Sequence, residues 1–380
     1  MNTKERLLTA WKFQEPDRVP LEMFLSPSAQ GLPGADAILD FQKNEADNFL
    51  GVHGFDWGFL GLDATYREEV IEDVPGQFTR KRRIHTTAVG EFTAVTKHTY
   101  EDLHGEGDPG DFHWERRYVE TLDDLQRLVK ADRQRRPFRL AEYNRGCADI
   151  GVRGVPITGL FHPLGLLVRN SNIEEVYLWM LSEPELMEAF LACCTEQVCD
   201  SIQAIKGAAL ADPLVFKTHA LEMFIPPWLG QEQFRKWIFP YDQQVNDAIH
   251  AIGGRHFAHC HGNSGAFLER FADMGIDAVD PLEPPPYGDN ILADAKQRVG
   301  RRMLLCGNIP SQLFPMESTT MKEIRELVKQ AIEDGAPGGG FTLRTTGSAH
   351  VGNGKTNAQK IKSIECGLAI IDAWREFGKY

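Results

Sequence analysis

From about residue 150 onward the chain alternates short apolar runs with longer helical patterns, and few folds accept that order. The runs are "GVPITGLF" (154–161), "PLVFKTHA" (213–220), "RHFAHCHG" (255–262), "IDAVDPLE" (276–283), "RMLLCGNI" (302–309) and "GGFTLRTTG" (339–347). A helical stretch follows each, at intervals of roughly 40 residues, which is the rhythm of parallel βα units. With "RVPLEMFL" (18–25) as an early strand, the count comes close to the eight of a closed barrel. An open doubly wound sheet is the alternative, since sheet order is not written in the sequence. No G-x-G-x-x-G follows an early strand, which removes the usual dinucleotide fingerprint. The expected fold is therefore α/β: a single (β/α)8 TIM-type barrel over residues 1–380 with an N-terminal elaboration. Residues 64–140 depart from the rhythm. They carry charge runs such as "RKRR" and a strand-like "GEFTAVTKHTY", and read as an insertion, a hairpin and lid, with solvated charged faces.

Composition narrows the function. Of 380 residues, 41 are basic and 54 acidic, a formal charge of −13 that disfavours a nucleic-acid or anionic-membrane partner. No apolar run approaches the ~20 residues that span a bilayer. The start, "MNTKERLLTAWKF", reads as an amphipathic helix rather than a secretory signal. Seven cysteines without regular spacing or a C-x-x-C pair do not form a disulfide framework, so a reducing cytoplasm is expected.

In a parallel barrel the chemistry gathers where strands end. The strand ends here carry Lys217 and His219, His259 and His261, Asp280 and Glu283, Cys306 and Asn308, and Arg344, Thr345 and Thr346. Side chains alternate along a strand, so His259 and His261 share a face while Cys260 points the other way as a small core residue. Two imidazoles at i and i+2 can meet on one ion, with a third ligand from Glu283, Cys306, Glu222 or His350. Equally, the two can be hydrogen-bonding histidines in a polar pocket with no metal. Lys217 and His219 also share a face, suited to an anionic substrate or a proton transfer, or to a salt-bridged barrel interior. The Gly- and Thr-rich "PGGGFTLRTTGS" (337–348) could cradle a phosphate, though glycines before a strand more often only make the turn.

Several segments together resemble one family, the uroporphyrinogen decarboxylase superfamily. They are "KERLLTAWKFQEPDRVPLEMF", "ETLDDLQRL", "GVPITGLFHPLG", "FPYDQQVNDAIHAIGG", "HCHGN", "GIDAVDPLE", "LLCGNIP" and "GGFTLRTTG", in the family's order across nearly the whole chain. The resemblance implies one (β/α)8 barrel with its site at the C-terminal mouth, often as a homodimer. The true decarboxylases carry an arginine-bearing segment after the early strand that grips substrate carboxylates. The matching stretch here, "MFLSPSAQG" (23–31), has no arginine. The other branch holds zinc-dependent methyltransferases that work with corrinoid proteins, with His-x-Cys before Gly-Asn and a second Cys near the last strand. Aligned on Gly262-Asn263, His261 stands where the first Cys would be, and the later Cys falls at or near Ser348. The chain is thus closer to the methyltransferase branch, with both thiolates replaced.

The resulting expectation is a zinc-dependent methyltransferase that moves a methyl group between a small methylated substrate and a corrinoid protein. The metal ligands would be His259, His261, Glu222 and His350. Lys217, His219, Glu283 and Arg344 would be catalytic, and Phe161, His162, Phe224, Trp228 and Asn308 would contact substrate. The alternative is a metal-free decarboxylase or lyase acting on a smaller carboxylate, with Arg344, Lys217 and His219 in place of the lost arginines.

Overall fold

The apolar runs of the sequence become parallel strands, and the computed structural model describes residues 1–99, 112–347 and 349–380. In chain order the strands are β1 (Leu21–Glu22), β2 (Phe24–Leu25), β3 (Asn48–Gly51), β4 (Thr65–Val74), β5 (Phe78–Thr87), β6 (Gly90–Thr99) and β7 (His113–Arg116). They continue as β8 (Gly154–Gly159), β9 (Val215–Thr218), β10 (Arg255–Cys260), β11 (Ala278–Pro281), β12 (Leu304–Ile309), β13 (Phe341–Thr345) and β14 (His350–Val351). Eight of them form one parallel sheet in the order β1, β13, β12, β11, β10, β9, β8, β3. Helices separate most of its successive strands, which gives the expected TIM-like barrel. The expected strand at 18–25 is broken into β1 and β2. The eighth barrel strand, β3, has only the four residues "NFLG", too few to show a period.

Between β1 and β3 side chains do part of the bonding that a strand ladder would do. Asp47 N donates to Leu21 O at 2.8 Å. Its carboxylate accepts from Leu21 N at 3.4 Å, and Asn48 Oδ1 accepts from Met23 N at 3.0 Å. Buried Arg6 donates in turn to Asp47 at 2.6 Å. Peptide groups at this seam thus find partners without a regular ladder.

The N-terminal end of the lumen is stoppered by the helix Thr3–Trp11, begun by a capping box between Asn2 and Glu5. Trp11 meets Phe49 and Phe257 edge-on, with ring centroids 5.6 and 6.1 Å away. With Val155, Val215, Ala278 and Leu304 these residues make an apolar floor. Because side chains alternate, the next inward residue on each strand lies one layer higher, toward the mouth.

Residues 64–140 hold a four-stranded antiparallel sheet, β4–β5–β6–β7, and the helix Leu122–Lys130. Phe92 and Ala94 of β6 join the same apolar core as the barrel helices. The "RKRR" run forms ion pairs with acids on neighbouring strands, Arg83 with Glu68 at 3.0 Å on the face it shares with Ala94 and Arg80 with Glu115 at 2.8 Å on the other face. The acidic stretch at 100–111 and Ser348, at or near which the resemblance puts the family's second cysteine, lie outside the described residues.

Candidate active site

One layer above the apolar floor the lumen turns ionic. Asp280 on β11 has no exposed surface and is the hub of this layer. Its Oδ2 accepts from Lys217 Nζ on β9 at 2.9 Å, its Oδ1 faces His259 Nδ1 on β10 at 2.9 Å, and Arg344 on β13 presses its guanidinium against the same carboxylate. Burial alone would push the Asp280 pKa up; Arg344, Lys217 and His259 outweigh it and hold the carboxyl well below the usual range. Arg344 Nη1 also lies 2.8 Å from Glu22 Oε2 on β1, a contact of charge rather than of aligned hydrogen bonding. Burial pushes the Glu22 pKa up against that neighbour. Lys217 further rests its ammonium over the Phe257 ring, 3.5 Å from the centroid.

At the rim of this layer the two histidines converge. His259 Nε2 and His261 Nε2 are 2.9 Å apart. Each ring is anchored through its other nitrogen, His259 by Asp280 and His261 by Glu283, whose Oε1 is 3.2 Å from His261 Nδ1. Glu283 is held by Gly262 N at 2.7 Å and Gln312 Nε2 at 2.8 Å. The tautomers follow from these partners. With both Nδ1–H groups donating to carboxylates, both Nε2 lone pairs point at each other. Two lone pairs at that distance repel, so a proton or a metal ion belongs between them. Glu283 raises the His261 pKa, and burial, overcome by His261 and the Gly262 amide, still leaves the Glu283 pKa lowered. His219 stands beside the pair, its ring 5.2 Å from that of His259. It opens to the mouth, yet the surrounding protein and the charges of His259 and Lys217 push its pKa down to about 4.

Two imidazoles converge but no trio does. Among the described residues no three His, Cys, Asp or Glu side chains are placed to hold one ion. Glu222, in the turn after β9, has a buried Oε2 without a hydrogen-bond partner, and its charge acts on His261. His350 lies on β14, stacked on Phe24 at 5.3 Å, and the carboxylate it influences is Glu22. Burial pushes the Cys306 thiol up to about 12, so it stays protonated, and Cys260 is buried in the apolar core.

The expected substrate contacts scatter. Phe161 at the end of β8 is half-buried beneath the Arg169 guanidinium, 5.6 Å away. Asn308 is half-buried on β12, in register with Arg344. Phe224 is fully buried in the core, so it packs the barrel rather than walling an open pocket. His162 is buried outside the lumen, its Nδ1 2.5 Å from Asp242. Trp228 is 45% exposed and leans on Tyr177. Sequence reasoning gave Asp280 no role and passed over Glu22; the one signal for the latter is a lone acid inside the apolar run "RVPLEMFL".

Fold and site together define a parallel βα barrel with an ionic layer under a histidine-lined mouth. A family model described as uroporphyrinogen decarboxylase (URO-D) matches residues 117–346, and the chain belongs to that family. A methyltransferase from Methanosarcina mazei superposes over 99% of this chain and 99% of its own, with a TM-score of 0.57 and 16% identity, a likeness of fold. A Bacteroidetes-affiliated GH5 cellulase linked with a polysaccharide utilization locus covers 64% of this chain and 77% of its own, with a TM-score of 0.37 and 12% identity. No curated protein matches the sequence. No helix among the described residues is long and apolar enough to cross a membrane.

Proposed function

We propose that the chain is a zinc-dependent methyltransferase, moving a methyl group between a small methylated substrate and a corrinoid protein. The observation that carries this reading is the 2.9 Å approach of His259 Nε2 and His261 Nε2, each ring anchored from behind by a carboxylate. Carboxylate-backed imidazoles are the usual construction of a zinc ligand shell. Two nitrogens on one tetrahedral zinc stand about 3.3–3.4 Å apart, so a shift of about half an ångström admits the ion. Glu222, with its unpartnered buried oxygen, is the oxygen donor the set would add.

Bound there, zinc would act as a Lewis acid on the heteroatom that carries or receives the methyl group. A set of nitrogen and oxygen donors leaves it harder than thiolates would, which suits a methoxy or hydroxyl oxygen. Asp280 and Glu283 fix the two ring orientations. His219, kept neutral at pH 7, is available to accept a proton at the mouth.

The alternative, a metal-free decarboxylase, needs cations free to grip a carboxylate. Lys217 and Arg344 are both engaged by Asp280, which weighs against it.

Metal analysis by mass spectrometry, on protein given zinc and then dialysed, tests the reading. About one zinc per chain, lost in the His259→Ala/His261→Ala variant, is expected for a single site. A wild-type protein that retains no zinc overturns the reading.

A further inference from the structure

A second polar site adjoins the mouth. A cavity of about 420 Å³ lies between the four-stranded sheet and the barrel, lined among others by Trp114, Arg117, Val168, Arg169, Ser171 and Met223. That is the size of a small-molecule pocket. Met223 follows Glu222, and Arg169 sits over Phe161 with its charge acting on both His219 and Glu222. The cavity is therefore a neighbour of the histidine pair.

Its charges do not cancel. The two acids in its wall are engaged, Glu115 by Arg80 at 2.8 Å and Glu120 by Arg116 at 3.0 Å. Among the described residues neither Arg117 nor Arg169 forms an ion pair. Arg117 donates to the carbonyl of Arg169 at 3.1 Å and lies over Trp114 at 4.6 Å, which leaves much of its donor fork unused. Burial lowers the pKa of both guanidiniums; no carboxylate acts against it at Arg117, and the charge of Glu222 offsets it only in part at Arg169. Ser171 is 1% exposed and its hydroxyl has no hydrogen-bond partner. A buried hydroxyl without a partner costs stability unless something completes it. Beside it begins the helix Ile173–Ser182, which adds the positive end of a helix dipole. Trp114, Val168 and Met223 supply apolar wall.

We propose that the substrate of this enzyme carries an anionic head group bound by Arg117, Arg169 and Ser171. Its apolar body lies along the cavity and presents the methyl-bearing end to His259 and His261. The direction of the body rests on the proposed methyltransferase site; the anion site itself does not.

Three matched probes test it by titration calorimetry: 4-methoxybenzoate, 4-methoxyphenyl phosphate, and neutral 4-methoxybenzamide. Charge-assisted hydrogen bonds predict that an anion binds the wild-type protein about tenfold or more tighter than the amide, and the tighter anion names the head group. That preference is expected to vanish in Arg117→Gln/Arg169→Gln and to weaken with added salt. Far-ultraviolet circular dichroism checks that the variant is folded, and Arg169→Lys, which keeps the charge, is expected to retain part of the preference. Equal affinity for anions and amide, no binding of either anion, or a preference untouched in the glutamine variant overturns the proposal. The His259→Ala/His261→Ala variant is expected to bind the anion normally, so loss of the zinc reading and loss of this one are told apart.

Discussion

Replacing Asp280 by Asn tests the ionic layer at its hub. The substitution keeps size and an oxygen that can still accept from His259, and removes only the charge that Lys217 and Arg344 share. Both cations are almost fully buried, so neither gains solvation when the carboxylate is neutralised. Breaking one buried ion pair by removing a partner costs about 3–5 kcal/mol, because the other charge is left uncompensated. Two cations lose Asp280, and Glu22, which acts on Arg344 first and on Lys217 second, offsets this only in part, so at least the cost of one pair is expected. An unfolding entropy of about 2.1 cal/mol/K per residue gives about 0.8 kcal/mol/K for this chain, so the Tm should fall by about 4–6 °C or more. Differential scanning calorimetry and urea unfolding of Asp280→Asn read the loss. Adding Lys217→Met to that variant removes one orphaned charge and should recover part of the stability. If Asp280→Asn is as stable as the wild type, Lys217 and Arg344 are satisfied by something other than this carboxylate, and the account of the layer fails.

Glu283→Gln should leave the fold intact but loosen the His261 ring, weakening zinc about 10–100-fold in a chelator competition; unchanged affinity would mean that Glu283 does not orient the ligand. Asn48→Ala should cost about 1–3 kcal/mol in urea unfolding, since it strips Met23 N and O of their buried partner at the seam. A neutral result there would show that water replaces the side chain. His256 is buried between Thr218 and Asn246, and burial holds its pKa well below the ordinary value. The unfolded chain therefore binds a proton that the folded one refuses, and stability should drop as the pH falls below about 6.5. Denaturation midpoints at pH 7.5 and 5.5 measure that drop, and His256→Gln should make it smaller.

The sequence by itself carried the architecture. Alternation of apolar runs with helical patterns is a local signal, written in each segment, and parallel βα units followed from it, whereas the order that makes them a barrel did not. It also put His259 and His261 on one face, because strand geometry is a period of two and needs no distant information. Short β3 escaped because four residues carry no period, and the bonding at the seam escaped because it depends on Asp47 and Asn48 meeting a strand far away in sequence. At the site the sequence supplied residue types, and the tertiary structure supplied the partners. Asp280 looked like one acid among several, and became the hub only when β9, β10 and β13 brought Lys217, His259 and Arg344 around it. Phe224 and His162 looked like pocket residues and are buried, since a strand-end position does not say which way the following turn faces. Arg117 and Arg169 lie 52 positions apart, and that they share a cavity with no ion pair to either among the described residues is a fact of packing alone. Local periodicity fixes which side chains can face together, whereas charge compensation depends on who arrives from elsewhere in the chain, and only the closed barrel decides that.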